Sequence, residues 1–209
     1  MLITLAGIDG AGKSTQCRHL ERWLVSKNIP VNVIDKWDVL KPEVFPECRF
    51  IQPDLDQLRV CIAQMEGASR ALFLIWSIAT VMKQYERDPH QVYILDGYWM
   101  KHLASEILYG NDEQWLLGLV SVLPPADTVL YFDVDVARTG VRKQAYTPYE
   151  CGRNEVSRQA FDKHQLALKG LMDRWSSSMG WTVIDANQPE ALVSAALQEV
   201  LTPLLQGRP

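Results

Sequence analysis

The segment Gly7-Ile8-Asp9-Gly10-Ala11-Gly12-Lys13-Ser14 fits G-x-x-x-x-G-K-[ST] at every defined position. Glycines at this spacing let successive backbone N–H groups turn inward, and a helix opening at Lys13 aims its positive end at the same point. A polyphosphate fits such a cradle. In this reading Gly7, Gly10, Ala11 and Gly12 shape the loop around ATP and Lys13 bridges its β- and γ-phosphates. Thr15 reaches a neighbouring phosphate and Ser14 ligates Mg²⁺. The bland alternative is a tight strand-to-helix turn that happens to contain Lys-Ser.

Phosphoryl transfer also needs a carboxylate near the metal. Asp96 closes the run Val92-Tyr93-Ile94-Leu95-Asp96 and is the candidate, holding Mg²⁺ through water or orienting the acceptor oxygen. Its other reading is an N-cap for a helix beginning near Trp99. Between Arg138 and Arg174 eight basic residues face four acidic ones in a chain of net charge −4. The centre of that stretch, Tyr146 to Arg153, has loop composition. Residues 142–157 therefore read as a lid over the phosphates, with Arg153 as a catalytic group stabilising charge on the transferring phosphoryl. A solvated charged helix face is the alternative for any single arginine there.

These groups need a scaffold. Short runs rich in β-branched and aromatic residues predict strands at Leu2 to Ala6, Val31 to Asp35, Val92 to Asp96, Thr128 to Asp133 and Trp181 to Asp185. Helical spacing recurs in Cys17, Leu20 and Leu24, in Phe161, Leu168, Leu171 and Trp175, and in Leu192, Ala196, Val200 and Leu204. The alternation is that of an α/β fold, a parallel sheet covered on both faces. Pro42, Pro46 and Pro53 mark one loop region, and Pro124-Pro125 another.

The 209 residues, 47% hydrophobic and 22% charged, suit one domain over 1–209. The net negative charge argues against a nucleic-acid or membrane partner and for a small molecule. The four cysteines, Cys17, Cys48, Cys61 and Cys151, are too scattered for a metal site and read as reduced thiols of a cytoplasmic protein. The apolar run before Gly7 lacks a basic leader, and the stretch from Ala71 to Met82 is well short of the ~20 residues needed to span a bilayer.

With the loop, the strand-end aspartate and the basic lid, the chain resembles the thymidylate kinase family of nucleoside monophosphate kinases. The matching segments are Gly7 to Gln16, the strand ending at Asp96, Leu130-Tyr131-Phe132-Asp133-Val134-Asp135 followed by Arg142, and Gly152-Arg153-Asn154-Glu155 followed by Phe161. The resemblance implies a P-loop NTPase fold with a five-stranded parallel sheet and a lid. It also implies transfer of the γ-phosphoryl group of ATP, with Mg²⁺, to a (deoxy)nucleoside monophosphate such as dTMP. Asp9 would then lie near the acceptor sugar, Arg142 against the adenine, and Arg153 would be the lid arginine. A homodimer through helices beside the third strand is implied as well.

The acceptor side departs from the family. Its aspartate-arginine pair appears as Asp96-Gly97 before Tyr98, its phenylalanine-x-x-x-arginine helix as Phe73 to Ser77, and its Glu-Pro-Gly-Gly type loop as Asp35-Lys36-Trp37-Asp38. Two guanidiniums are lost, each ~1.5 to 3 kcal/mol as a charge-assisted contact. The acceptor set is then Asp9, Lys36, Trp37, Phe73 and Tyr98, with Lys36 replacing lost charge. Trp37, Trp76 and Trp99 are either stacking surfaces there or core. No histidine has metal-ligand spacing; His102 alone falls near the acceptor pocket. Two other readings stay open: a kinase of a nucleoside or other hydroxyl compound with Asp96 as base, and a nucleotide-binding protein without catalysis.

Overall fold

The computed structural model describes residues 1–51, 54–143, 145–152 and 155–207, with Arg142 known by its backbone alone. The chain runs β1 (Leu2–Ala6), α1 (Lys13–Ser26), β2 (Val31–Ile34), α2 (Leu55–Gln64), α3 (Gly67–Val81), β3 (Val92–Asp96), α4 (Trp99–Leu108) and α5 (Glu113–Val120). It continues through β4 (Thr128–Asp133), α6 (Val136–Arg142), α7 (Arg158–Met179), β5 (Thr182–Asp185) and α8 (Glu190–Gln206). The strands form one five-stranded sheet in the order β2-β3-β1-β4-β5, every pairing parallel. This is the α/β architecture expected from the sequence, and it is consistent with a P-loop kinase fold.

All five residues of β1 are buried, as a central parallel strand covered on both faces must be. α1 packs against α8, while α4 packs against α3, α5 and α7. The registers Leu5 to Asp96 and Leu5 to Leu130 bring the carboxyl ends of β3 and β4 beside the segment that follows β1. In parallel α/β sheets ligands gather at this edge, and strand order reverses here between β3 and β4.

Two strand ends differ from expectation, each for a local reason. β2 stops at Ile34 because the Asp35 carboxylate accepts the Trp37 N–H (2.9 Å) while Asp38 accepts the Asp35 N–H (3.3 Å). This reciprocal cap starts a 3-10 turn at Lys36–Leu40 inside the proline-marked region, which contains a second such turn at Pro46–Cys48. Pro53 lies outside the described residues. Trp181 falls before β5, its N–H donating to Ser176 O (3.0 Å) as α7 ends on left-handed Gly180.

Candidate active site

The loop after β1 holds its shape through glycine. Gly12, at φ 92, is the N-cap of α1, and Gly10, at φ 79, lies against α6: a Cβ there would come within 2.9 Å of Thr139 Cβ. Helix α1 thus begins at Lys13 with its free N–H groups facing the loop. Ser14 is exposed at the first turn. The Thr15 hydroxyl accepts from Arg18 (3.3 Å). Lys13 curls back over the loop, donating to Gly7 O (3.0 Å) and Ile8 O (2.8 Å). Burial, with Lys101 nearby, lowers the Lys13 pKa to about 8.

The loop separates two hollows. On one side a cavity of about 180 Å³ opens at the ends of β1, β2 and β3, bordered by Asp9, Lys13, Lys36, Trp37, Asp96 and Tyr98. On the other a groove of about 320 Å³ runs between Ala11, Gly12 and Thr15 and the β5–α8 segment of Gln188 and Pro189. Gln16 ties that segment down, donating to Glu190 O (3.0 Å) and accepting from Ser194 (2.7 Å).

Within the cavity Asp9 is held on every side. Its Oδ1 pairs with Lys101 Nζ at 2.6 Å, its Oδ2 accepts from Gln165 Nε2 at 3.3 Å, and its backbone N–H donates to Gln165 Oε1 at 2.9 Å. Burial would raise the Asp9 pKa; Lys101, with Lys13 behind it, outweighs burial and holds the carboxyl well below the usual range. Asp96 differs: among the described residues none donates a hydrogen bond to its carboxylate or pairs with it. It does not cap α4, whose N-cap is Tyr98. Tyr98 is buried and its hydroxyl donates to Pro124 O (2.9 Å).

Residues 143–157, so far as they are described, are non-helical, and Tyr149 and Glu150 among them border the cavity. Lys143 pairs with Glu150, and Glu150 accepts from the Thr147 N–H (3.1 Å). The Glu150 carbonyl accepts from Gln165 Nε2 (2.9 Å), so one buried glutamine of α7 binds both the glycine-rich loop and this segment. Tyr149 reaches into the cavity, where its hydroxyl lies 3.0 Å from His102 Nδ1 and accepts from Lys36 Nζ at 3.3 Å.

Thus the structure brings Gly7, Gly10, Ala11, Gly12, Lys13, Ser14 and Thr15 together around one loop. Asp9, Lys36, Trp37, Asp96 and Tyr98 border one cavity. Phe73 is not at the cavity wall; it packs against Trp76 (5.8 Å) in a small cluster with Leu58, Ile62 and Leu74 that Trp37 and Tyr149 also touch. Trp76 also meets Phe50, and half-buried Trp99 packs on Trp175 and Trp181 at the edge of the core, so of the three tryptophans Trp37 alone borders the cavity. Arg153 lies outside the described residues, as does the side chain of Arg142, the last residue of α6. Lys101, Gln165 and the β5–α8 segment were missed by the sequence reading, which placed Tyr149 in the lid but not in the cavity.

For a divalent cation, the free oxygens at the loop are the exposed Ser14 hydroxyl and the unpaired Asp96 carboxylate. No group of three or more His, Cys, Asp or Glu side chains able to cage a metal occurs among the described residues. That sparse oxygen set fits Mg²⁺, which keeps several waters and shares phosphate oxygens.

Comparison with known proteins agrees with this geometry. The chain is 27% identical over 135 residues to "Probable thymidylate kinase 1" of Saccharolobus solfataricus, covering 65% of this chain and 66% of that protein. It is 27% identical over 134 residues to "Probable thymidylate kinase" of Sulfurisphaera tokodaii, covering 64% of each. A protein of the same name from Thermococcus kodakarensis is 28% identical over 139 residues, 65% of this chain and 67% of that one. The chain is similar to proteins named as kinases. In the first two relatives the match spans just under two thirds of their length. No family model matches the chain. No helix among the described residues is long and apolar enough to cross a membrane.

Proposed function

We propose that the protein is an ATP-dependent kinase that moves the γ-phosphoryl group of ATP to a (deoxy)nucleoside monophosphate such as dTMP. The observation that carries this reading is one phosphate cradle with a hollow on each side. The groove along Gln188 and Pro189 suits the donor's nucleoside, and the cavity holding Asp9 and Asp96 suits the acceptor. The names of the relatives support the same class.

In this mechanism an acceptor oxygen forms the new bond to phosphorus while the bond to the β-phosphate oxygen breaks. Lys13 leaves the Gly7 and Ile8 carbonyls for the phosphates and answers charge on the leaving oxygen. Asp9, fixed by Lys101 and Gln165, positions the acceptor. The lid, joined to the loop through Gln165, excludes water. Mg²⁺, held by Ser14 and by Asp96 directly or through water, would supply charge neutralisation across the phosphates. In this reading Arg153 is the lid cation and Arg142 packs on the adenine.

A second reading, phosphorylation of a nucleoside hydroxyl, is favoured by the free Asp96 carboxylate, which could take the hydroxyl proton, and by Gly97 and Ser77 at the family's arginine positions. ADP release from purified protein, screened against nucleoside monophosphates, nucleosides and other alcohols, decides between them. Turnover with a monophosphate that Lys13→Ala abolishes is expected. Unchanged turnover in that variant overturns both readings, and ATP binding without ADP from any acceptor leaves only a nucleotide-binding role.

A further inference from the structure

Of the three cations gathered around the ring of Tyr149, two have a carboxylate in contact and one, among the described residues, has none. Tyr149 is ringed by three cations, with Lys36 Nζ and Lys101 Nζ each 5.5 Å and Arg70 Cζ 5.6 Å from its ring centroid. Asp9 answers Lys101 at 2.6 Å, and Glu106 answers Arg70 at 3.1 Å. Lys36, only 8% exposed, has no carboxylate within ion-pair reach among the described residues. Its ammonium lies 3.9 Å from the Trp37 ring centroid, donates to Tyr149 Oη at 3.3 Å and sits 3.5 Å from His102 Nδ1. Asp35 and Asp9 act on it only from beyond ion-pair distance, and a buried amine without an anion in contact is costly unless the ligand brings one.

We propose that Lys36, His102 and the lid residue Tyr149 form an anion subsite that receives the phosphomonoester of the acceptor and is completed by the lid. The inference rests on the kinase reading and gives its acceptor an anionic group held without arginine.

The donors are arranged for it. Lys36 donates to the Tyr149 oxygen, and the Tyr149 hydroxyl can donate to His102 Nδ1 in the tautomer that carries the imidazole proton on Nε2. Lys36 keeps further N–H bonds for a ligand. Asp35 lies on the same turn as Lys36; Lys101 and His102 come from α4, Arg59 from α2, Asp9 and Lys13 from the loop, Arg70 from α3. Burial, then repulsion from Lys101, pushes Lys36 well below the usual lysine range; burial, then Lys36, does the same to His102. A dianion beside both groups opposes burial and the neighbouring cations and favours their charged forms, so binding draws protons from solvent.

Calorimetry at pH 8 tests this on the whole protein saturated with a non-hydrolysable ATP analogue, which fills the loop. The probes are dTMP, thymidine and inorganic phosphate, each in two buffers of different ionisation enthalpy. The expected result is net proton uptake with dTMP or phosphate and none with thymidine. Lys36→Met should weaken the phosphate-bearing probe about tenfold or more and leave analogue affinity unchanged. Equal affinity in Lys36→Met, no proton uptake by the wild type, or no binding of either anion overturns the subsite. The wild-type proton count stands even if the variant does not fold. Lys36-dependent phosphate binding without dTMP binding keeps the subsite and overturns the dTMP reading instead.

Discussion

Replacing Lys101 with methionine isolates the energetics of Asp9. The pair is 2.6 Å long with side chains 18% and 17% exposed, so removing the ammonium strands a carboxylate that is largely shut off from water. Breaking a buried pair from one side costs ~3 to 5 kcal/mol. Gln165 still donates to Asp9 and Lys13 is still nearby, and with the residual exposure these trim the expected loss to about 2 to 3 kcal/mol. The sign with pH is fixed. In the native protein Asp9 sits below its ordinary pKa, so it stabilises the fold above the unfolded carboxylate value and that contribution fades as pH falls through the folded value. Without Lys101, burial is opposed only by Lys13, Lys143 and Gln165, so the Asp9 pKa climbs from its depressed value and the variant's deficit shrinks on acidification. Urea unfolding followed by tryptophan fluorescence at pH 7 and pH 5 should show a deficit that narrows at pH 5. Asp9→Asn added to Lys101→Met should recover part of it. A deficit below ~0.5 kcal/mol at pH 7, or one that does not narrow, refutes this reasoning.

ATP affinity should fall about tenfold between pH 7 and pH 9 in calorimetric titration, because the Lys13 pKa of about 8 means its proton must be supplied on binding at the higher pH; a flat profile contradicts it. Gly10→Ala puts a methyl 2.9 Å from Thr139 Cβ at φ 79 and should lower stability by ~2 to 3 kcal/mol, measured by thermal unfolding. Gly12→Ala, which meets nothing within 4 Å but keeps φ 92, should cost only ~1 kcal/mol. Gln165→Leu removes the bonds to Asp9 and to Glu150 O and should lower kcat and raise the acceptor KM with ATP affinity unchanged; unaltered kinetics would show that loop and lid are not coupled there.

The loop was legible because glycine and lysine at fixed spacing state a backbone conformation and a charge directly. The sheet was legible because central parallel strands are buried on both faces and read as apolar runs, as Leu2 to Ala6 does but for Thr4. Lys101 and Gln165 were not, because they meet Asp9 across 92 and 156 residues, and nothing local marks which lysine or glutamine the fold will bring there. Tyr149 was assigned to a lid by its neighbours, but its reach into the cavity depends on the turn from Thr147 to Glu150. The tryptophans show the limit from the other side. Residue type announces a large apolar surface, and only packing decides that Trp37 borders the cavity while Trp99 packs on Trp175 and Trp181 away from it.

The strand order bears on how the chain emerges from the ribosome. β1 is made first, yet its neighbours are β3, ending at Asp96, and β4, ending at Asp133. At about 5 to 20 residues per second its hydrogen-bonding edges wait roughly 5 to 20 s for the first partner and longer for the second. Through that interval Leu2, Ile3 and Leu5, fully buried in the finished fold, have no sheet to enter. Translation speed and chaperone supply over the stretch from β1 to β3 should therefore govern the yield of folded protein more strongly than they would for a fold in which β1 pairs with β2.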